Sequence, residues 1–204
     1  MLTSRIENIL WEKGYNNIAY CDEVGRGCLF GPVLAATVIL PKGLKIEGVK
    51  DSKKLSPKKR EALYEIILEK AIAIGIGIVS AEIIDEINIK NATKLAMKKS
   101  ILNLRDKEDK LISPDYILID AEEIDLDIPQ QSIVKGDDLI HGISIASIVA
   151  KVTRDSLCLK WHQQYPQYGI DRHKGYGTKA HREALIRYGI TEMHRRSFLK
   201  KLYP

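Results

Sequence analysis

Short apolar runs that do not alternate with polar residues recur along this chain, and they limit what it can fold into. Residues 18–21 (IAYC), 33–40 (VLAATVIL), 71–79 (AIAIGIGIV) and 116–119 (YILI) offer apolar side chains to both faces of an extended strand. Such strands belong to a sheet covered on both sides, because a sheet with one wet face reads as strict alternation. A fifth, more polar strand is expected at 131–134. Between the runs lie helical stretches at 4–13, from Ser56-Pro57 to Lys70, at 81–88, 91–104 and 143–154, and a basic one at 178–187. Ser56 supplies an N-cap and Pro57 suits the first helical turn. The order predicts an α/β fold: a mixed five-stranded sheet flanked by helices. The 204 residues suit one domain, with residues from about 155 to 204 as a C-terminal helical cap on the same core.

Three of the strands finish in acid. Asp22 and Glu23 follow the first, Asp120 closes 116–119, and Asp137 follows 131–134 after Lys135-Gly136. Singly, each has an ordinary explanation. Asp137 or Asp138 can cap a helix, and Asp120 can serve a turn. Together they are harder to dismiss, since carboxylates side by side at strand tips repel one another and are costly to bury. Magnesium or manganese, hard cations that take oxygen ligands, would offset both costs. Two such ions about 3.5–4 Å apart can stabilise the attacking and leaving oxygens of a phosphodiester. Neighbouring strand residues face opposite ways. Asp22 and Glu23 can therefore share a site only if the strand is ending there or one of them acts through its backbone.

A net charge of +5 fits a polyanionic partner. The charge gathers at Lys53, Lys54, Lys58, Lys59 and Arg60, and again at His194, Arg195, Arg196, Lys200 and Lys201. The three cysteines, Cys21, Cys28 and Cys158, form no C-x-x-C pair, which argues against a disulfide framework or a zinc site. The five histidines match no zinc motif and are expected at the surface or facing phosphates. The N-terminus carries acids and lacks the apolar run of a signal peptide, and no stretch is long enough to span a membrane. A soluble cytoplasmic protein, monomeric by default, is expected.

An ordered set of motifs resembles the ribonuclease HII family. It comprises Asp22-Glu23-Val24-Gly25-Arg26-Gly27, Gly31-Pro32-Val33, Asp51-Ser52-Lys53-Lys54-Leu55-Ser56, Leu118-Ile119-Asp120 and Lys135-Gly136-Asp137. It continues with Ala150-Lys151-Val152-Thr153-Arg154-Asp155, Pro166-Gln167-Tyr168-Gly169, His173-Lys174-Gly175-Tyr176 and His194-Arg195-Arg196-Ser197-Phe198. The resemblance implies an RNase H-like fold and two divalent metal ions, Mg2+ or Mn2+, on Asp22, Glu23, Asp120 and Asp137. It implies cleavage of the RNA strand of RNA–DNA hybrids and nicking of DNA 5′ to embedded ribonucleotides. It gives Gly25, Arg26 and Gly27 the reading of the ribose 2′-hydroxyl, Tyr176 a stacking role on the following sugar, and Lys53 and Lys54 contacts to phosphates.

The chain departs from the family pattern at Tyr20, Cys28, Ala121 and the Ser144–Ser147 segment. Tyr20 is expected to matter most, as a large residue close to Asp22. The rivals are a ribonuclease HIII-like hybrid nuclease, which typically carries an extra N-terminal domain, and a non-catalytic hybrid-binding module. The tail ending Ser197-Phe198-Leu199-Lys200-Lys201-Leu202-Tyr203-Pro204 is too weak a pattern to assign a sliding-clamp motif.

Overall fold

The computed structural model describes residues 3–200; the end of the tail, 201–204, lies outside them. Five strands, β1 (Ile18–Val24), β2 (Val33–Ile39), β3 (Ala73–Val79), β4 (Tyr116–Asp120) and β5 (Gln130–Ile133), form one sheet in the order β3-β2-β1-β4-β5. β2 pairs antiparallel with both β1 and β3, and β4 pairs parallel with both β1 and β5. The sheet is mixed, as expected.

Helices cover both faces. On one side lie α1 (Thr3–Glu12), α2 (Pro57–Lys70) and α5 (His141–Gln164), packed on Tyr20, Leu34, Ala36, Val38 and Leu118. On the other lies α3 (Ala81–Leu102), packed on Ala19, Cys21, Val33, Ala35, Ile117 and Ile119. Successive residues of β1 and β2 thus feed opposite cores, which is why their sequences show no alternation. The caps follow the sequence. Ser56 Oγ accepts from Lys59 N at 3.3 Å, and Ser80 Oγ from Ile83 N at 3.3 Å. The two helical stretches at 81–88 and 91–104 meet at Asn88, where φ is 66° and the side chain accepts from Lys90 N at 3.0 Å and Asn91 N at 3.1 Å.

Two glycines stand inside β3, and packing explains them. α3 lies so close that a Cβ on Gly77 would fall inside the Ala96 carbonyl and 2.6 Å from Ser100 N. Gly77→Ala is expected to cost about 2–3 kcal/mol, because the obstacle is backbone and cannot turn aside. A lower denaturant midpoint at unchanged slope would record it, and a wild-type midpoint would contradict so close an approach.

After β5 come α4 (Gly136–Leu139), the long α5, α6 (Ile170–His173), α7 (Lys179–Tyr188) and α8 (Arg196–Leu199). α5 begins before residue 143 and continues well beyond Arg154, so the stretch with small residues is only its first half. The segments after α5 gather around Phe30, with Cys158, Tyr168, Ile170, Leu185 and Leu199. Among the described residues no helix is long and apolar enough to cross a membrane.

Candidate active site

β1 does not stop before Asp22. It stays paired with β2 as far as Val24, opposite Leu34. Its pairing with β4, however, ends at Cys21–Ile119. Beyond that point the two strands part, and the acids occupy the gap. Carboxylate oxygens of Asp22, Glu23 and Asp120 all lie within 4.8 Å of one another. Separation from β4, rather than a strand end, lets two residues of opposite facing serve one place.

Asp22 is buried, accepts from Ser147 and takes the Glu23 N–H at 2.8 Å. Burial, then the charges of Glu23 and Asp120, push its carboxyl well above the ordinary carboxylate range. Glu23 is also pushed up by burial, against the pull of Arg26. Its Oε2 is buried without a hydrogen-bond partner. Burial raises Asp120 too; the Gly136 N–H, donating to its Oδ1 at 2.7 Å, opposes this and the Asp137 charge adds to it. Carboxylates so placed hold protons until a cation takes their place.

Asp137 stands beside this trio rather than in it, and its Oδ2 is 3.2 Å from Lys53 Nζ. The turn at Lys135, φ 59°, brings the Gly136 and Asp137 amides onto Asp120. A Cβ on Gly136 would sit 2.7 Å from Ile143 Cδ1 and 3.3 Å from Asp120 Oδ1, so a side chain there would have to displace the tip of Ile143. Lys54 pairs with the exposed Asp138, away from the trio.

Gly25, φ 90°, lies against the Arg154 guanidinium with no room for a side chain. Arg26 Nη1 reaches Glu23 at 3.4 Å and Glu122 at 3.1 Å. Gly27 is exposed beside Tyr176, itself 43% exposed, and Cys28 forms a β-bridge with Tyr176. The loop and the tyrosine thus meet on one surface. Carbonyls of the loop and of Lys174 turn inward onto two fully buried arginines. Arg154 donates to Lys174 O at 2.8 Å and Phe30 O at 3.2 Å; Arg195 donates to Gly31 O at 2.9 Å and Arg26 O at 2.8 Å.

Several expectations change. Tyr20 does not reshape the site: its ring lies against Gly142 and its hydroxyl donates to Glu7 at 2.8 Å, so it ties down α1. The serines of α5 bond the site. Ser144 Oγ donates to Asp137 O at 2.7 Å, and Ser147 bonds Asp22 and, at 2.9 Å, Ser52 Oγ. Ala121 has φ 51°, a left-handed conformation that glycine adopts without strain. No histidine is exposed, and His181 and His194 are buried. Glu122, buried against Arg26, was missed. In the sequence it is one acid of a polar loop, with nothing to separate it from Glu123.

A mixed five-stranded sheet with clustered acids where its central strands part defines an RNase H-like, metal-dependent nuclease. The ribonuclease H2 of Pyrococcus horikoshii shares this fold, with TM-score 0.74 and 26% identity over 91% of this chain and 96% of that one. The ribonuclease HII of Archaeoglobus fulgidus, solved with PCNA, aligns with TM-score 0.70 and 26% identity over 88% and 93% of the two chains. A ribonuclease HII of Alkaliphilus metalliredigens is 68% identical over 197 residues, 97% of each chain. The sequence profile of the ribonuclease HII family matches residues 20–201, and the chain belongs to that family of metal-dependent endoribonucleases acting on RNA–DNA hybrids.

Proposed function

We propose that this protein nicks duplex DNA on the 5′ side of an embedded ribonucleotide, as well as cutting the RNA strand of hybrids, and leaves 3′-hydroxyl and 5′-phosphate ends. One observation carries the reading. Three carboxylates converge beside the loop in which Gly27 meets Tyr176, and Arg26 of that loop reaches Glu23 at 3.4 Å. The acids fit divalent cations. Three carboxylates converge within 4.8 Å, all of hard oxygen, and a buried Glu23 oxygen has no partner. Asp22, Glu23, Asp120 and Asp137 would hold two ions, Mg2+ or Mn2+. When bound, they supply a hydroxide-forming water and charge stabilisation at the leaving oxygen.

The chain's own groups do the rest. Exposed Gly27 allows backbone to approach the sugar closely enough to sense a 2′-hydroxyl. Tyr176 offers a ring face to the next sugar. Lys53, 77% exposed at its side chain, and Lys54 meet phosphates and fix the register of the duplex. Arg26 holds Glu23 and is held by Glu122. The protein acts in the cytoplasm as a monomer. The PCNA complex of the Archaeoglobus relative makes a sliding clamp the partner to test first.

A labelled DNA duplex with one ribonucleotide, incubated with magnesium or manganese beside an all-DNA control, tests the reading. One nick 5′ to the ribonucleotide, absent with chelator, is expected. Cleavage of long hybrids alone would mean a ribonuclease HIII-like preference. No cleavage with either metal would leave a binding module.

A further inference from the structure

Behind Tyr176 lies a chain of imidazoles whose hydrogen bonds admit one arrangement of protons. The backbone N–H of Thr191 points at His194 Nδ1 at 3.0 Å. An amide can only donate, so Nδ1 accepts and the proton of neutral His194 sits on Nε2. That Nε2 is 3.3 Å from Nε2 of His181. His181 Nε2 must therefore accept, which leaves the His181 proton on Nδ1. Nδ1 lies 3.0 Å from the carbonyl of Tyr176, which can only accept. The direction closes without conflict: Thr191 amide, His194, His181, Tyr176 carbonyl. His173, stacked on His181 with ring centroids 4.4 Å apart, takes the Gly175 N–H on Nδ1 at 3.2 Å and faces Tyr168 O with Nε2 at 2.7 Å.

We propose that His181 and His194 form a tautomer-locked relay that positions Tyr176 for the substrate sugar. This rests on the reading that Tyr176 touches substrate. The relay works only with both rings neutral, since a second proton on either would set two N–H groups against each other. Burial favours this, pushing both imidazoles down to about 4. The rings are also clamped: His194 stands edge-on to Phe30 at 4.8 Å, and on either side of Phe30 the Leu29 N–H donates to Gly175 O at 2.8 Å and the Gly31 N–H to Met193 O at 2.7 Å. The Tyr176 carbonyl has a second donor, Thr178 N at 2.8 Å, so losing the relay loosens the tyrosine without unfolding its turn. His181 and His194 are positioning residues, because neither faces the carboxylates.

Nitrogen chemical shifts of the imidazoles in the intact protein read the arrangement directly. The expected result is a protonated Nδ1 on His181 and a protonated Nε2 on His194 at neutral pH. Averaged tautomers, or the reverse assignment, would overturn the relay. A double-mutant cycle on a duplex with one ribonucleotide reads its purpose. His194→Ala is expected to raise KM about tenfold with kcat within about twofold, and to add almost nothing once Tyr176 is Ala. His181→Asn, which can keep an N–H near the Nδ1 position, is expected to recover most of the KM lost in His181→Ala. Additive effects of His194→Ala and Tyr176→Ala would overturn the positioning role. A Tyr176→Ala variant with wild-type KM would overturn the substrate reading at Tyr176 and the positioning role with it. The nitrogen shifts would still decide whether the relay exists, so the two failures are distinguishable.

Discussion

Asp120→Asn is expected to abolish nearly all cleavage while leaving the fold intact and the metal-free protein more stable at neutral pH. The asparagine oxygen can still accept from Gly136 N, so the turn that carries Asp137 stays in place. What is lost is a negative charge facing Asp22 and Glu23. Removing a ligand charge at a metal site forfeits several kcal/mol of charge stabilisation, which corresponds to a rate loss on the order of a thousandfold. Stability moves the other way. Asp22, Glu23 and Asp120 are all raised, chiefly by burial, so the folded form holds protons that the unfolded chain releases. Stability from such groups is complete below the unfolded carboxylate value near 4 and is lost as pH rises through the raised folded values. The metal-free wild type should therefore gain thermal midpoint as pH falls from about 7 to 5. The variant should show a flatter dependence and a higher midpoint at pH 7. Unchanged turnover would remove Asp120 from the site; an unchanged pH slope would remove the repulsion.

Arg154→Ala carries the largest expected loss of stability, about 3–5 kcal/mol. The side chain is fully buried, has no carboxylate partner among the described residues and bonds the carbonyls of Lys174 and Phe30. Truncation opens a cavity, leaves the Phe30 carbonyl without its donor and leaves the Lys174 carbonyl with only the Cys28 thiol at 3.5 Å. Arg154→Met separates the two costs, because it fills most of the volume but bonds nothing; it should recover part of the loss and no more. Denaturant midpoints at constant slope measure both. Activity should fall as well, since the same guanidinium underlies Gly25 and joins the loop to the Tyr176 segment. A wild-type midpoint for Arg154→Ala would show that the buried charge costs as much as its bonds return.

Much of this molecule could be read along the chain. Unalternated apolar runs specify strands with two dry faces, and β1 and β2 have them. Ser56-Pro57 starts a helix through bonds made within a few residues, so local sequence suffices. The acids at 22, 23 and 120 were visible because charge following an apolar run is costly wherever the run is buried. The limits β1 Ile18–Val24 and α5 His141–Gln164 were not, since pairing with β2 and packing on the sheet extend them past their apolar cores.

What tertiary structure alone decided is how distant residues share space. That Glu23 joins Asp22 depends on β1 leaving β4 at Cys21, a matter of pairing between segments far apart in sequence. That β3 needs Gly75 and Gly77 depends on where α3 lies. Glu122 matters only because Arg26 reaches it. Arg154, Arg195, His181 and His194 look like surface charge in sequence, yet all four are buried around the loop from Gly25 to Gly31. Sequence determines what each residue can donate, accept or bury; only the folded chain brings the partner that decides which of these it does.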